Sequence, residues 1–322
     1  RQMCIRDRLL GTSPITFQEV IISGILTGHA TNFNVTGNWT NNGTFVHNSG
    51  TVTFNGISSI AGSSTTGFGG LTVAGTLTAP SNLQVARNLL INGTFTHNNG
   101  TVTMNGNVAQ TIGGTSVPSF YNLTQNNSAG VSITQDVKLI NTLTISSGTF
   151  TTTGKIFTLV SNVSNTANIA AIPSGANLTG SIVMERYTGT GPTDCRQISS
   201  SISGTTIADW ADDFPTSGFT GSTDPTNGFV SIYTYDETLP GNKDNAGWVG
   251  ATNITNPIVA GKGYYVYMGP NPISISVKGP PQKFVQSIPV TFSNSGSIND
   301  DGWNLVSNNY PSAIDWRNLT NW

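Results

Sequence analysis

The sequence predicts an all-β protein: a parallel β-helix-like solenoid over residues 11–182, then an antiparallel β-sandwich-like domain over residues 183–322. Three observations carry this. The segment Asn42–Gly56 returns as Asn92–Gly106 with only positions 46, 49 and 54 changed. Apolar residues within each copy alternate with period two, as in Phe45 and His47 against Val46, then Val52 with Phe54, which is the periodicity of a strand. Charge nearly vanishes over the same region. Between Gly11 and Ile182 the charged residues are Glu19, Arg87, Asp136, Lys138 and Lys155, whereas nineteen follow.

Residues 1–10 are the first element. Scattered charges and no apolar core argue against a secretory leader; the segment reads as a non-native, adapter-like extension. It contains Cys4, so Cys195 is expected to be the one native thiol, buried as a small apolar group.

Next comes the repeat region. Ile60, Phe68 and Leu71 correspond to Ile112, Phe120 and Leu123 at a spacing of fifty-two. A worn third copy runs from Val137 to Phe150, where Leu143, Ile145, Gly148 and Phe150 answer Leu89, Ile91, Gly93 and Phe95. Periods of about 20 to 50 residues indicate units that bury their apolar edges only against neighbours. Asn/Ser/Gly clusters supply the corners, and Gly67–Gly70 is expected to be one of them. Strands of four to six residues fit coils of about 20 residues, two or three to each repeat. Roughly eight coils at about 4.8 Å would span on the order of 40 Å. A stack of antiparallel hairpins fits the same pattern. Asparagines at equivalent corners are expected to ladder their amides along the axis.

Near residues 181–186 the composition changes. Eleven of fifteen prolines and five of six tryptophans lie beyond it. Strands are expected at 229–235, 264–268, 273–277 and 288–292, with a helical turn at 209–214 and a turn at Asp300-Asp301-Gly302 before a strand at Trp303. This half resembles a module of large secreted surface proteins of the Bacteroidetes. The resemblance rests on E-R-Y at 185–187, I-S-S-S-I-S-G-T-T-I-A-D-W at 198–210 and S-I-Y-T-Y-D-E at 231–237. It continues through Trp248, A-G-K-G-Y-Y-V-Y at 260–267 and G-W-N-L-V-S-N-N-Y-P-S-A-I-D-W at 302–316. Ser307-Asn308-Asn309-Tyr310 departs from the usual G-N-P-Y. The resemblance implies a repetitive β region preceding the module, type IX secretion, a cell-surface location, and a chain that is an internal part of a longer protein.

Chemistry is sparsely written. A net charge of −2 offers no basic field for nucleic acid and no polybasic run for a membrane. No apolar run reaches the roughly 18 residues of a spanning helix. All three histidines lie in the repeat half, so no Ser/His/Asp set can be assembled with the acids of the second half. His47 and His97 are expected to be corner residues, because sites coils apart cannot share a zinc ion that needs nitrogens at about 2 Å. Asp236, Glu237, Asn242, Asp244 and Asn245 gather in one loop, which makes Asp236 and Asp244 the candidate ligands for Ca²⁺; solvated turn residues explain the same loop. Trp248, Tyr265 and Tyr267, with Asp244 accepting hydroxyls, are candidate contacts for sugar rings, and a filled core is the alternative reading. The expected function is a secreted structural or adhesive surface protein without catalysis. Its expected partners are extracellular polysaccharide, a host or biofilm surface, and other domains of the same chain. The alternative is a carbohydrate-binding region of a larger polysaccharide-degrading enzyme.

Overall fold

A computed structural model describes residues 2–3, 7–8, 15–191, 194–241, 246–294, 301–315 and 317. The candidates Asp244, Asn242 and Asn245, together with Cys4, Asp300 and Trp316, lie outside the described residues. The described chain is all-β apart from one short helix, Ala208–Ala211. It divides into two units: residues 1–160 with 167–181, and residues 161–166 with 182–322.

The first unit is a three-faced parallel solenoid. Its first face stacks nine strands among the described residues: Ile15–Phe17, Asn32–Val35, Thr51–Phe54, Gly70–Val73, Leu89–Ile91, Gln110–Gly114, Val131–Ile133, the end of Val137–Thr151, and Ala176–Thr179. Each of these eight pairings is parallel, which excludes the hairpin stack. The register advances 18, 19, 19, 18, 23, 21, 19 and 28 residues from one turn to the next. The second face holds Val20–Ile22, Trp39–Asn41, Ile57–Ala61, Thr76–Thr78 and Thr94–Thr96. The third holds Ile25–Thr27, Thr44–Val46, Thr66–Phe68, Asn82–Val85, Thr101–Met104, the latter part of Ser119–Asn126, the middle of Val137–Thr151 and Asn168–Ile169.

Inward positions form the core because strand residues alternate sides. Val35, Phe54, Val73, Ile91, Ile112 and Phe150 are all fully buried along the first face. Trp39 sits at the centre of an aromatic cluster, with ring centroids 4.8 Å from Phe45, 5.3 Å from Phe68 and 6.4 Å from Phe54. The G-F-G-G stretch is not an extended turn. Gly67 and Phe68 end one strand, Gly70 begins the next, and Gly69 alone makes the corner, because Phe68 is needed in the core.

The repeats do not stack copy over copy. Thr44–Val46 lies on the third face and its counterpart Thr94–Thr96 on the second. Thr51–Phe54 lies on the first face and Thr101–Met104 on the third. Trp39, Leu89 and Leu143, one from each copy, occupy the second, first and third faces. Turns of about nineteen residues explain this: fifty residues carry the chain through eight faces, or two and two-thirds turns, so each copy falls one face behind the last. Correspondence is therefore local. Phe45 meets Phe68 at 5.8 Å, and Phe95 meets Phe120 at 5.4 Å.

The corners repeat in atomic detail. Asn48 and Ser49, like Asn98 and Asn99, have positive φ of 45° to 61°, a conformation that asparagine tolerates better than most residues. His47 Nδ1 accepts the Ser49 N–H at 3.0 Å, and His97 Nδ1 accepts the Asn99 N–H at 3.0 Å. Burial holds both imidazoles below the ordinary pKa, Arg87 adding to the effect at His47. A neutral ring with its proton on Nε2 satisfies this geometry. Asparagine amides seldom ladder on one another; Asn141 to Asn122, 2.8 Å, is one such case. More often they bond the neighbouring turn, as Asn42 and Asn92 do by accepting the N–H of Ser63 and Thr115.

In the second unit, Ile182–Thr188 pairs antiparallel with Ile273–Gly279. A separate antiparallel sheet has the order Cys195–Ile198, Tyr264–Tyr267, Ile232–Tyr235, Trp248–Gly250. Ile202, Trp210, Ile232 and Val266 are buried at 0 to 1% exposure, and the Trp210 ring meets Tyr264 edge-on at 5.2 Å. The expected strand at 229–235 shrinks to its last four residues, and those at 288–292 and Trp303 do not form. Phe292 and Trp303 are instead 71% and 55% exposed in loop, with too little burial to hold a pleat.

Candidate functional site

The four-stranded sheet places six aromatic residues on or beside its outer face. Alternation in Tyr264–Tyr267 sends Tyr264 and Val266 inward and leaves Tyr265 and Tyr267 38% and 40% exposed. Tyr233 stands opposite Tyr265 and Tyr235 opposite Trp248, so all five side chains share that face. Phe229 adds a sixth ring, 5.4 Å from Tyr267 and nearly perpendicular to it. Trp248 is central, 5.2 Å from Tyr235 and 5.4 Å from Tyr265. Gly247 is dictated by this packing, since a Cβ there would run into the Tyr235 ring.

Polar groups rim the rings. The Tyr267 hydroxyl donates to Asp194 Oδ2 at 3.1 Å, and that bond is the main reason its pKa is raised. Tyr265 is raised as well, first through its hydrogen bond with Cys195. Cys195 is half-buried opposite Tyr267, not enclosed in the core as expected, because it occupies an outward position of its strand. The structure thus brings Trp248, Tyr265 and Tyr267 together. Sequence reading missed Tyr233, Tyr235, Phe229 and Asp194. The first three follow the same alternation within F-V-S-I-Y-T-Y, which was the available signal.

The acidic candidates serve loop structure. Asp236 Oδ1 accepts both the N–H and the hydroxyl of Thr238, at 3.0 and 2.7 Å, and these bonds hold its carboxyl below the usual range. Glu237 is 7% exposed, under a thin cover of loop. The Thr291 hydroxyl is the first of the groups that lower its pKa, and its Oε1 also accepts the N–H groups of Ser293 and Gly302. Asp209 accepts Thr206 N–H at 2.7 Å and Asp213 accepts Ser276 N–H at 2.6 Å. Burial raises Asp213 despite that bond. Among the described residues no three His, Cys, Asp or Glu side chains gather as a metal site. His47 and His97 follow strands on different faces, a larger separation than coil spacing alone.

One concavity in this unit measures about 280 Å³ and is lined by Met184, Arg186, Gln197, Trp210, Val277 and Tyr310 among others. It falls just below the roughly 300–1,000 Å³ typical of ligand sites. Burial lowers the Arg186 pKa. No family model, curated protein or solved structure matches this chain.

Proposed function

We propose that this chain is a structural and adhesive component of the cell exterior, of the kind exported by type IX secretion in the Bacteroidetes. The solenoid is a stiff spacer, and the second unit is a sandwich-like module that it presents. One observation supports this best. Parallel ladders from Ile15 to Thr179 enclose an apolar interior, and the side-chain amides of Asn42 and Asn92 at their edges bond the neighbouring turn. Such a body transmits position and leaves little with which to transform a molecule. In the second unit, the pair Ile182–Thr188 and Ile273–Gly279 forms the other sandwich layer in this reading, with Trp210 between. Weak contacts made by many copies at a surface then sum through multiplicity. The test is to incubate the purified chain with insoluble extracellular polysaccharides, measuring retention and release of reducing ends. Retention without release is expected; sustained release of sugar would refute a purely structural role.

A second reading is favoured by the outer aromatic face: a carbohydrate-binding region of a larger polysaccharide-degrading protein, with Trp248, Tyr265 and Tyr267 stacking on sugar rings. Quenching of Trp248 fluorescence by soluble glycans, lost in Trp248→Phe, is its expected signature. Unchanged fluorescence across a broad glycan panel would remove it.

A further inference from the structure

The third face of the solenoid carries an array that the adhesive reading does not use. Thr101, Asn122 and Thr142 are register partners on successive turns, and so are Thr103, Thr124 and Thr144. All six are partly exposed at outward positions. Asn82 and Gln84 extend both rows by one turn, and Asn168 extends the first row at the other end. The grid is regular: neighbours along a row are about 4.8 Å apart, and the rows are separated by about 6.7 Å, the rise of two strand residues. Register shifts fall outside it, between Phe120 and Asn122 and between Gln125 and Asn126. Cross-turn bonds stiffen the edge: Asn122 to Thr101 at 3.4 Å, Asn141 to Asn122 at 2.8 Å and Asn105 to Gln84 at 3.2 Å.

The first face is a contrast only in its earlier turns, where its rows are interrupted by Gly70 and by Leu90, leaving a depression of about 230 Å³ beside Thr51, Thr72 and Arg87. In its later turns Thr111, Ser132, Thr151 and Thr179 form a single hydroxyl row. The third-face grid has no charge and no aromatic ring in its rows. A small solute gains little there, because each hydroxyl or amide bond to it replaces an equivalent bond to water and nets about 1 kcal/mol at best. A flat, neutral, stiff grid gains affinity only from a partner that is itself periodic, where many small contacts share one loss of freedom. Both spacings of the grid lie close to the oxygen repeats on the prism faces of hexagonal ice. Threonine supplies what such a lattice accepts, a hydroxyl in the plane and a methyl that displaces disordered water.

We propose that the third face, centred on Thr103, Thr124 and Thr144, binds the surface of ice. The full chain would be tested by slow growth of an ice front, comparing its concentration in the ice with that in the remaining liquid. Microscopy of recrystallising ice grains would be run in parallel. Wild type is expected to be enriched in the ice and to arrest grain growth. Thr124→Lys is expected to abolish both effects, whereas Thr53→Lys on the first face leaves them intact. Thr124→Val, which keeps the shape and removes the hydroxyl, provides a milder variant should the lysine perturb folding; circular dichroism would verify each fold. Exclusion of the wild type from ice would overturn the proposal. So would equal ice binding by Thr124→Lys with its fold intact, or retention on crystalline polysaccharide in place of ice.

Discussion

The two units solve the same problem, burying the faces of short strands, by opposite means. In the solenoid a strand pairs with partners roughly twenty residues away on either side, and one pattern suffices for each turn. In the second unit Ile182 pairs with Gly279, and Glu237 holds Ser293 and Gly302 across a loop. Charge follows the same division. Local, self-similar contacts need almost none, whereas long irregular loops use Asp209, Asp213, Asp236 and Glu237 to satisfy backbone N–H groups that no ladder reaches. Low charge in the solenoid therefore reflects how completely its backbone pairs.

The contrast can be broken most severely at its tryptophans. Trp39→Ala should cost about 3–5 kcal/mol, the range for emptying a fully packed aromatic site, read by chemical unfolding. Trp248→Ala on the outer sheet face should cost about 1 kcal/mol or less. Comparable losses at both would mean that the aromatic face is core.

Next in size is Gly114. Its φ is +124°, and a Cβ would collide with the Ile91 carbonyl. Gly114→Ala should therefore cost roughly 1–3 kcal/mol. Gly228 has open space around it, and Gly228→Ala should leave the melting temperature unchanged. Asn98 is smaller again. Asn98→Ala places alanine at φ 46° and removes a 3.4 Å bond to the Ala79 carbonyl, a loss of about 1–2 kcal/mol, whereas Asn98→Gly should lose less.

The smallest effect is a pH dependence confined to the solenoid. Folding lowers the pKa of His47 and His97, mainly through burial. The unfolded rings therefore take up protons first as pH falls below about 6.5. Their contribution to stability is complete above that value and declines toward the lower folded pKa. Nitrogen chemical shifts should show neutral Nε2–H rings at neutral pH, with both histidines titrating below the ordinary value of about 6.5. Titration at the ordinary value would contradict the corner geometry.

Much of the solenoid was legible beforehand. The parallel coils, their length and the corner histidines follow from alternation, Asn/Gly spacing and the absence of charge. The stepping of each copy by one face was not, because a fifty-residue repeat does not reveal how many residues make one turn. Gln110 and Asn127 were equally hidden: both are buried, and they meet at 2.9 Å inside a corner, a role that their sequence neighbours do not announce. In the second unit, Trp248, Tyr265 and Tyr267 were visible as a group. Tyr233, Tyr235 and Phe229 had the right alternation, but only the antiparallel register places them on the same face. The missing strand near 288–292 shows the limit of alternation without burial.

The most direct test of the stepped solenoid is pairwise disulfide trapping in a background carrying Cys4→Ser and Cys195→Ser. Thr53 and Thr72 are register partners on adjacent turns, so Thr53→Cys with Thr72→Cys should cross-link rapidly under mild oxidation. Thr53→Cys with Thr78→Cys should stay reduced, because Thr78 lies on the second face. Were the repeat instead two whole turns, residues 53 and 78 would be the neighbours. Cross-linking of that pair, with the first remaining open, would contradict the stepped arrangement.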